Sequence, residues 1–341
     1  MSDSLPLPLP LPLPLPRIGI TLGDPAGIGP EIAVRILSDP EVREVCLPVL
    51  VGAREVVARE VAQHCPGTRV VETSLQDGVT GEPGDILLLP TGSPEDLVPY
   101  GTVDPAGGRA AVEAVRAAVE ATLDGRLDGI CTAPLNKESM RRAGFDYDGH
   151  TEMLAEFTGC RSVSMLLMGD QLRVAHVSTH TALADVPAKM TPERLTAVVR
   201  IAHDALLSIG IAEPRIAVAG LNPHSGENGL FGTEEQVVMV PTIAALCADG
   251  LDVRGPVSPD AVFLEAMSGR YDLVVVAYHD QGHIPVKLIE RDVAVNVTGG
   301  LPIIRTSVDH GTAFDIAGRG VASTVNMGSA LRLAARMASR R

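Results

Sequence analysis

The segment Leu273-Val274-Val275-Val276-Ala277-Tyr278-His279-Asp280-Gln281-Gly282-His283-Ile284-Pro285-Val286-Lys287 joins an apolar run to a dense group of reactive side chains. The run from Leu273 to Ala277 predicts a strand. Two imidazoles, a carboxylate and an ammonium follow it directly. Since α/β enzymes keep their chemistry at strand ends, the segment predicts an α/β enzyme.

Apolar runs of strand length alternate with amphipathic, Ala- and Glu-rich stretches along the rest of the chain. The predicted strands are Ile18–Leu22, Leu47–Val51, Gly129–Thr132, Ser162–Met168, Arg173–Ser178, Arg215–Leu221, Leu273–Ala277 and Val293–Thr298. The predicted helices are Glu31–Leu37, Glu55–Ala62, Gly108–Leu123, Pro192–Ile209, Glu234–Ala248 and one from Ser329. This alternation predicts a mostly parallel sheet with right-handed crossovers.

The composition supports a large α/β protein and argues against several classes of function. The 341 residues are 45% apolar and 3% aromatic, which suits buried strands under Ala-rich helices, in two lobes or one large lobe. A net charge of -14 argues against nucleic acid and anionic membranes. No apolar run approaches the roughly 18–20 residues that cross a bilayer. The five cysteines contain no C-x-x-C pair, so neither a disulfide framework nor a structural zinc site is indicated, and we expect a cytoplasmic protein.

Residues 1–16 differ from the rest of the chain. They contain six consecutive Leu-Pro pairs, from Leu5 to Pro16. Each proline removes a backbone donor and blocks helix, and no basic segment of a signal peptide is present. We predict a disordered or polyproline II tail, with a docking role as the alternative.

Histidines also follow two other predicted strands. His180 and His224 follow apolar runs as His279 does, and the three are tens of residues apart. One such histidine is more often structural than a ligand. Three at equivalent strand ends, each followed by a loop, favour convergence on one metal or one anionic substrate. His176, inside a predicted strand, is interpreted as a core residue.

The turn from Gly23 to Glu31 follows the first predicted strand and opens a helix. It is not a G-x-G-x-x-G motif. Two interpretations stay open: a tight strand-to-helix turn, or a site in which Asp24 or Glu31 lies beside a ligand at the helix N-terminus.

Three other motifs carry polar groups. Thr132-Ala133-Pro134-Leu135-Asn136-Lys137 offers a hydroxyl, an amide and an ammonium to a phosphate or carboxylate. Gly149-His150-Thr151-Glu152 opens a helix, where Thr151 is either a ligand contact or simply the N-cap. The stretch Ser307–Gly320 has the glycines and short polar residues of a loop around a nucleotide, and an ordinary loop is the alternative.

Six motifs together resemble one family over essentially all of Arg17 to Arg341: G-D-P-A-G-I-G-P-E, T-A-P-L-N-K, G-H-T-E, L-N-P-H-S-G-E, Y-H-D-Q-G and R-T-S-V-D-H-G-T-A. The family is that of 4-hydroxythreonine-4-phosphate dehydrogenase. More distantly, the first turn and H-G-T-A-F-D-I-A-G look like isocitrate and isopropylmalate dehydrogenases, which bind the dinucleotide without a Rossmann fingerprint. The resemblance implies two α/β/α lobes around a cleft. Residues 17–130 with 297–341 would form the cofactor-side lobe, and 131–296 the metal and dimer lobe.

The resemblance also implies roles for individual residues. It makes His180, His224 and His279 the ligands of one divalent metal (Zn, Mg, Co or Mn), with the set completed across a homodimer interface. The implied substrate contacts are His150, Thr151, Lys287, Asn296 and Arg305. The implied contacts of NAD, or of NADP, are Asp309, His310, Gly311, Thr312 and Asp315. Lys287 and His279 are the implied catalytic residues.

The implied reaction is oxidation and decarboxylation of 4-phosphooxy-L-threonine to 3-amino-2-oxopropyl phosphate, in pyridoxal phosphate biosynthesis. The string H-D-Q-G-H-I-P-V-K looks instead like catabolic paralogues, which act on D-threonate or D-erythronate 4-phosphate and give dihydroxyacetone phosphate. His283 either reports this change at the substrate C2 position or only packs beside the metal. In each case the expected partner is a phosphorylated four-carbon 3-hydroxy acid.

A metal-dependent hydrolase or lyase without NAD is the competing class, built from the same three histidines. Ser225, beside His224, does not indicate a serine nucleophile, because no G-x-S-x-G motif accompanies it. Lys287 becomes a candidate proton donor or acceptor if burial near the metal lowers its pKa.

Overall fold

The computed structural model describes residues 14–76, 81–82, 84–93 and 97–341. The predicted tail spans residues 1–16, and residues 1–13 of it lie outside the described residues. Its described end meets the sheet, where the Leu47 amide donates to the Pro16 carbonyl at 2.9 Å. In the described part of the chain, no helix is both long and apolar enough to span a membrane.

Twelve strands of the described chain form one continuous sheet. The strands are β1 Arg17–Thr21, β2 Leu47–Gly52, β3 Val70–Glu72, β4 Ile86–Pro90, β5 Gly129–Thr132, β6 Ser164–Met168, β7 Arg173–His176, β8 Arg215–Ala219, β9 Asp252–Val257, β10 Leu273–Val276, β11 Val295–Gly299 and β12 Arg305–Ser307. Their order across the sheet is β3-β4-β2-β1-β5-β12-β11-β6-β7-β10-β8-β9.

Helices cover the sheet and connect its strands. They are α1 Gly29–Arg35, α2 Pro40–Val45, α3 Arg54–His64, α4 Pro105–Leu123, α5 Lys137–Arg142, α6 His150–Thr158, α7 Val186–Lys189, α8 Pro192–Ser208, α9 Val240–Ala248, α10 Val262–Met267, α11 His279–Glu290 and α12 Val325–Ala338. In the described part of the chain, the 3-10 segments Ile36–Ser38, Leu183–Asp185 and Pro223–Gly229 and the π-helical turn Glu235–Met239 lie between them.

Strand direction reverses at three successive junctions near the middle of the sheet. Strand β11 runs antiparallel to β12 and β6, and β6 forms an antiparallel hairpin with β7, whereas all the other described pairs are parallel. Strands β7, β10 and β8 therefore run opposite to β5 and β12. The neighbouring ends of β7, β10 and β8 lie at one edge of the sheet. The three strand-end histidines, His180, His279 and His224, come after these strands.

The predicted α/β class and mostly parallel sheet are confirmed, and each predicted strand and helix is present with bounds shifted by a few residues. Strands β3, β4, β9 and β12 were not predicted. The strands β3 and β12 are three residues long, and β9 contains Gly255 and Pro256, so none of these three has a sustained apolar run. The division into lobes at 130/131 and 296/297 stays a prediction.

Candidate active site

Four imidazoles gather where β7 and β10 end. The ring of His279, the first residue of α11, lies 5.9 Å from that of His180 and 6.4 Å from that of His176, measured between centres. His283 stacks on His279 with 3.6 Å between ring centres. The expectation that a loop follows His279 is wrong, because α11 begins there. The structure thus brings His180 and His279 together and adds His176, which is buried as expected, and His283.

Burial keeps three of these imidazoles neutral. Burial and the nearby His283 lower the pKa of His176 to about 3. Burial and the nearby His279 lower the pKa of His283 to about 4. The pKa of His180 is also lowered, first by burial and then by the charge of Lys137. Neutral imidazole is the form that binds divalent metals, so the cluster suits a metal site at neutral pH.

The Asp280 carboxylate orients the His279 ring. Its Oδ1 lies 2.7 Å from His279 Nδ1. A carboxylate accepts hydrogen bonds, so Nδ1 is the donor and the other ring nitrogen, Nε2, is the one available to a metal, the arrangement typical of metal-binding histidines. His180 and His279 line a cavity of about 470 Å³. The chemistry of this donor pair therefore fits a divalent metal.

A buried glutamine fixes the start of α11. The Ala277 amide donates to Gln281 Oε1 at 2.7 Å, and Gln281 Nε2 donates to the Gly220 carbonyl at 2.8 Å. Gln281 thereby joins the ends of β10 and β8 and sets the position of His279. Sequence reasoning assigned no role to Gln281. The feature of the sequence that indicates such a role is a polar amide side chain directly after a buried strand, where it needs hydrogen-bond partners.

Gly282→Ala should lower the free energy of unfolding by about 1–3 kcal/mol, although alanine is the better helix former. A Cβ at position 282 would lie 2.8 Å from His176 Nε2 and 2.9 Å from Val276 Cγ2, so α11 or His176 would have to move. Urea unfolding measures the loss. Gly328→Ala in α12 is the matched control, since its closest neighbours, at 3.2 Å, are ends of side chains. Equal stability of the two variants would contradict this packing argument.

His224 lies in a left-handed turn after β8. Five consecutive residues, His224 to Asn228, have φ between 41° and 79°, a region that residues other than glycine rarely adopt. Asn222 anchors the turn. Its backbone N–H donates to Glu235 Oε1 at 2.7 Å, and its side-chain Nδ2 donates to Glu234 Oε2 at 2.8 Å. Glu235 is itself buried. The sequence pattern contains no signal for this conformation.

A single chain does not assemble the predicted three-histidine set. Within the described ranges, no three His, Cys, Asp or Glu side chains are placed to hold a metal ion. His224 makes no ring contact with His180 or His279 among the described residues. The assignment of His224 as a third ligand thus requires a second subunit, as the resemblance implies, and stays a prediction.

Arg305 is a buried cation that lacks a counter-ion. Its side chain donates to Thr298 Oγ1 and Thr132 Oγ1, both at 2.8 Å, and Asn296 Oδ1 lies 3.4 Å away. Its Nε is buried without an acceptor, and no carboxylate in the described chain pairs with it. Burial lowers its pKa to about 10, so it stays charged at neutral pH. A buried cation of this kind calls for an anionic ligand. Thr298 is a contact that sequence reasoning missed.

His150 faces Arg305 from the first position of α6. Its Nε2 is buried and has no hydrogen-bond partner in the described chain. Burial and then the charge of Arg305 lower the pKa of His150 well below its usual value. The alternative in which Thr151 is the N-cap is wrong, because Gly149 occupies that position. His150 therefore offers an unused polar atom beside the buried cation.

The segment from Lys137 to Glu152 connects the two groups. Lys137 lies close enough to His180 to depress its pKa, while Glu152 and Asp148 oppose that effect. His150, in the same segment, faces Arg305. This one segment therefore lies beside both the imidazoles and the buried arginine, although the strands that lead to them run in opposite directions.

Lys287 forms an ion pair with Asp309. The Nζ–Oδ2 distance is 3.2 Å. The Lys287 side chain is 52% exposed, so the burial that would make it a proton donor or acceptor is not present in the single chain. The ion pair does bring a predicted substrate residue to the predicted cofactor loop.

The predicted cofactor loop packs on the first turn of the chain. The Ile28 amide donates to the Thr312 carbonyl at 3.0 Å, and the Asp309 amide donates to Asn326 Oδ1 at 2.7 Å. His310, Gly311 and Asp315 are exposed. Exposed polar groups on an anchored backbone suit a nucleotide, and their role stays a prediction.

Asp24 and Glu31 stabilise the first turn itself. The fully buried Glu31 accepts from the Ala322 amide at 3.0 Å and pairs with Arg35 at 2.9 Å. Asp24 Oδ1 accepts from the Ala26 amide at 2.9 Å, and burial raises its pKa. Of the two interpretations of this turn, the structure favours the structural one.

Residues 44–334 match the family model described as Pyridoxal phosphate biosynthetic protein PdxA. This chain belongs to the PdxA family. The resemblance inferred from the six motifs is thereby confirmed.

Members of the PdxA family match this chain over nearly its whole length. A D-threonate 4-phosphate dehydrogenase from Cupriavidus necator is 46% identical over 344 residues, covering 100% of both chains. A 4-hydroxythreonine-4-phosphate dehydrogenase from Geobacter metallireducens is 46% identical over 94% of this chain and 95% of its own. The crystal structure of a 4-hydroxythreonine-4-phosphate dehydrogenase from Klebsiella pneumoniae has a TM-score of 0.87 at 40% identity, covering 95% of this chain and 99% of the other. These names support an oxidoreductase.

Proposed function

We propose that this chain catalyses the NAD-dependent and divalent-metal-dependent oxidation and decarboxylation of a phosphorylated four-carbon 3-hydroxy acid. The observation that carries the proposal is the presence, beside the one segment 137–152, of neutral imidazoles and a buried guanidinium without a counter-ion. The imidazoles suit a metal, and the guanidinium suits an anionic substrate. We place the reaction in the cytoplasm, in a homodimer.

Each residue of the cleft has a proposed task. His180 and His279, with His224 from a second subunit, would hold the metal, and Arg305, held by Thr132 and Thr298, would bind an anionic end of the substrate. When bound, the metal supplies Lewis-acid polarisation of the substrate oxygen and NAD supplies the hydride acceptor. The other proposed contacts are His150, Thr151, Asn296 and Lys287 for substrate, and Asp309, His310, Gly311, Thr312 and Asp315 for NAD or NADP.

The proposed reaction balances in two stages. Oxidation would remove a hydride from C3, for which NAD would be the acceptor, and the proton of the C3 hydroxyl, which gives a β-keto acid. The C1–C2 bond then breaks, carbon dioxide leaves, and C2 takes up a proton. Lys287 is the proposed proton carrier, since closure by a second subunit would reduce its exposure to water.

Two substrates of this class are candidates. D-threonate 4-phosphate, or its D-erythronate isomer, is favoured by the H-D-Q-G-H-I-P-V-K string and by the name of the Cupriavidus necator relative. The product would be dihydroxyacetone phosphate. The second candidate, 4-phosphooxy-L-threonine, corresponds to the name of the equally similar Geobacter metallireducens relative. The product would then be 3-amino-2-oxopropyl phosphate.

Binding of NAD distinguishes the proposed dehydrogenase from a hydrolase or lyase. His310→Ala should weaken NAD binding by about tenfold, because it removes a polar contact from an exposed loop without disturbing the fold. Titration of the protein with NADH, followed by the fluorescence of the nucleotide, measures the affinity. His203→Ala, on helix α8, is the matched control and should bind NAD normally. Turnover without any NAD requirement would contradict the proposal and favour the competing class.

A further inference from the structure

His176 and His283, the two imidazoles beside the candidate metal ligands, have fixed hydrogen-bonding roles. His176 Nδ1 lies 3.0 Å from the Met165 carbonyl oxygen. A carbonyl only accepts, so Nδ1 of His176 carries the proton and its Nε2 is an acceptor. That Nε2 lies 3.1 Å from Nδ1 of His283. His283 must therefore be the donor in this bond.

A second contact requires the same tautomer of His283. Its Nδ1 also lies 3.1 Å from the backbone carbonyl of His279, one helical turn earlier. Both neighbours of Nδ1 are acceptors, so the proton of the neutral ring is on Nδ1, and Nε2 has a lone pair. Within the described chain no hydrogen bond to Nε2 is present, and His283 as a whole is 6% exposed. His283 thus has an acceptor, and only an acceptor, left for a ligand.

The position of His283 places this acceptor among the proposed substrate contacts. It lies one turn after His279 and one turn before Lys287 on α11, so the three side chains share one face of the helix. The Asp309 and Lys287 charges both act on it. An acceptor here requires a donor on the ligand.

We propose that His283 Nε2 accepts a hydrogen bond from the C2 substituent of the substrate and makes this position a specificity determinant. The inference rests on the proposed function. The ionised carboxylate and phosphate of a four-carbon 3-hydroxy acid 4-phosphate are acceptors, and its C3 hydroxyl is consumed by the oxidation. The remaining donor is the group on C2, a hydroxyl in the sugar acids. His176 is a positioning residue that holds the acceptor tautomer.

The test compares D-threonate 4-phosphate with its 2-deoxy analogue, 3-hydroxy-4-phosphobutanoate. The wild-type enzyme should prefer the 2-hydroxylated substrate by at least about a hundredfold in kcat/KM, because the analogue leaves a polar site unpaired. His283→Asn keeps a donor at the Nδ1 position and removes the Nε2 acceptor. It should reduce the preference to within about tenfold by slowing only the hydroxylated substrate.

Equal losses on both substrates in His283→Asn would overturn the proposal, since they would indicate a structural role or proton transfer at C3. So would a wild-type enzyme that does not discriminate. Imidazole ¹⁵N spectra supply a readout independent of turnover: a protonated Nδ1 and an unprotonated Nε2 on His283 are expected, and a protonated Nε2 would overturn it. A wild-type protein that oxidises neither compound contradicts the proposed function, and the spectra then still decide the tautomer.

Discussion

Arg305→Gln should lower kcat/KM by about a thousandfold while leaving the free energy of unfolding unchanged or higher. A buried, unpaired cation lowers the stability of the free protein, and it contributes to binding only when an anion is bound. The Arg305 guanidinium is 3% exposed and held by two threonine hydroxyls. Glutamine can still bond to a hydroxyl, but it cannot neutralise a phosphate or carboxylate. Steady-state kinetics and urea unfolding measure the two effects.

Arg194→Gln is the matched control for this experiment. Arg194 is also largely buried, but it donates to the carbonyls of Val177 and Val163 at 2.8 and 2.9 Å. Its loss should lower stability, because those carbonyls then lose their donors. Inorganic phosphate should raise the melting temperature of wild type and of Arg194→Gln, but not that of Arg305→Gln. An Arg305→Gln protein that is destabilised and retains its KM would contradict the anion-site interpretation.

Subunits with His224→Ala and subunits with His279→Ala should each be inactive alone and should recover activity when combined. If the site takes His279 from one chain and His224 from the other, a mixed dimer has one intact site. Random pairing makes half of the dimers mixed, so about a quarter of wild-type activity should return. Co-expression with two affinity tags isolates the mixed dimer for assay of turnover and bound metal.

The matched control combines His180→Ala subunits with His279→Ala subunits. These two rings are 5.9 Å apart in the same chain, so each site of a mixed dimer lacks one of them, and no activity should return. Absence of recovery in the His224 and His279 combination would show that His224 does not complete the site across subunits. Full activity of either single variant would refute its assignment as a ligand.

The sequence alone predicts the framework of this protein because apolar runs such as Leu273–Ala277 are long and uninterrupted. It also predicts that the strand-end histidines converge, and in the structure His180 and His279 do come together because the strands before them are parallel neighbours. It does not predict the reversal of strand direction. That reversal depends on the β6–β7 hairpin and on β11, and pairing across a sheet is not encoded in the periodicity of any one strand.

Other parts of the candidate site depend on tertiary contacts. The left-handed turn at His224 is anchored by Asn222, which bonds to Glu234 and Glu235 at the start of the following helical segment. Thr298 reaches Arg305 because β11 and β12 are paired. The spacing of residues along the chain does not predict either arrangement.

The central claim is that this chain couples oxidation to decarboxylation, and its most direct test follows NADH and carbon dioxide together. Metal-loaded protein and NAD would be incubated separately with D-threonate 4-phosphate, D-erythronate 4-phosphate and 4-phosphooxy-L-threonine. We expect NADH and carbon dioxide in equal amounts, with the sugar acids reacting faster than the amino acid. Consumption of substrate without NADH, or no reaction with any of the three, would contradict the claim.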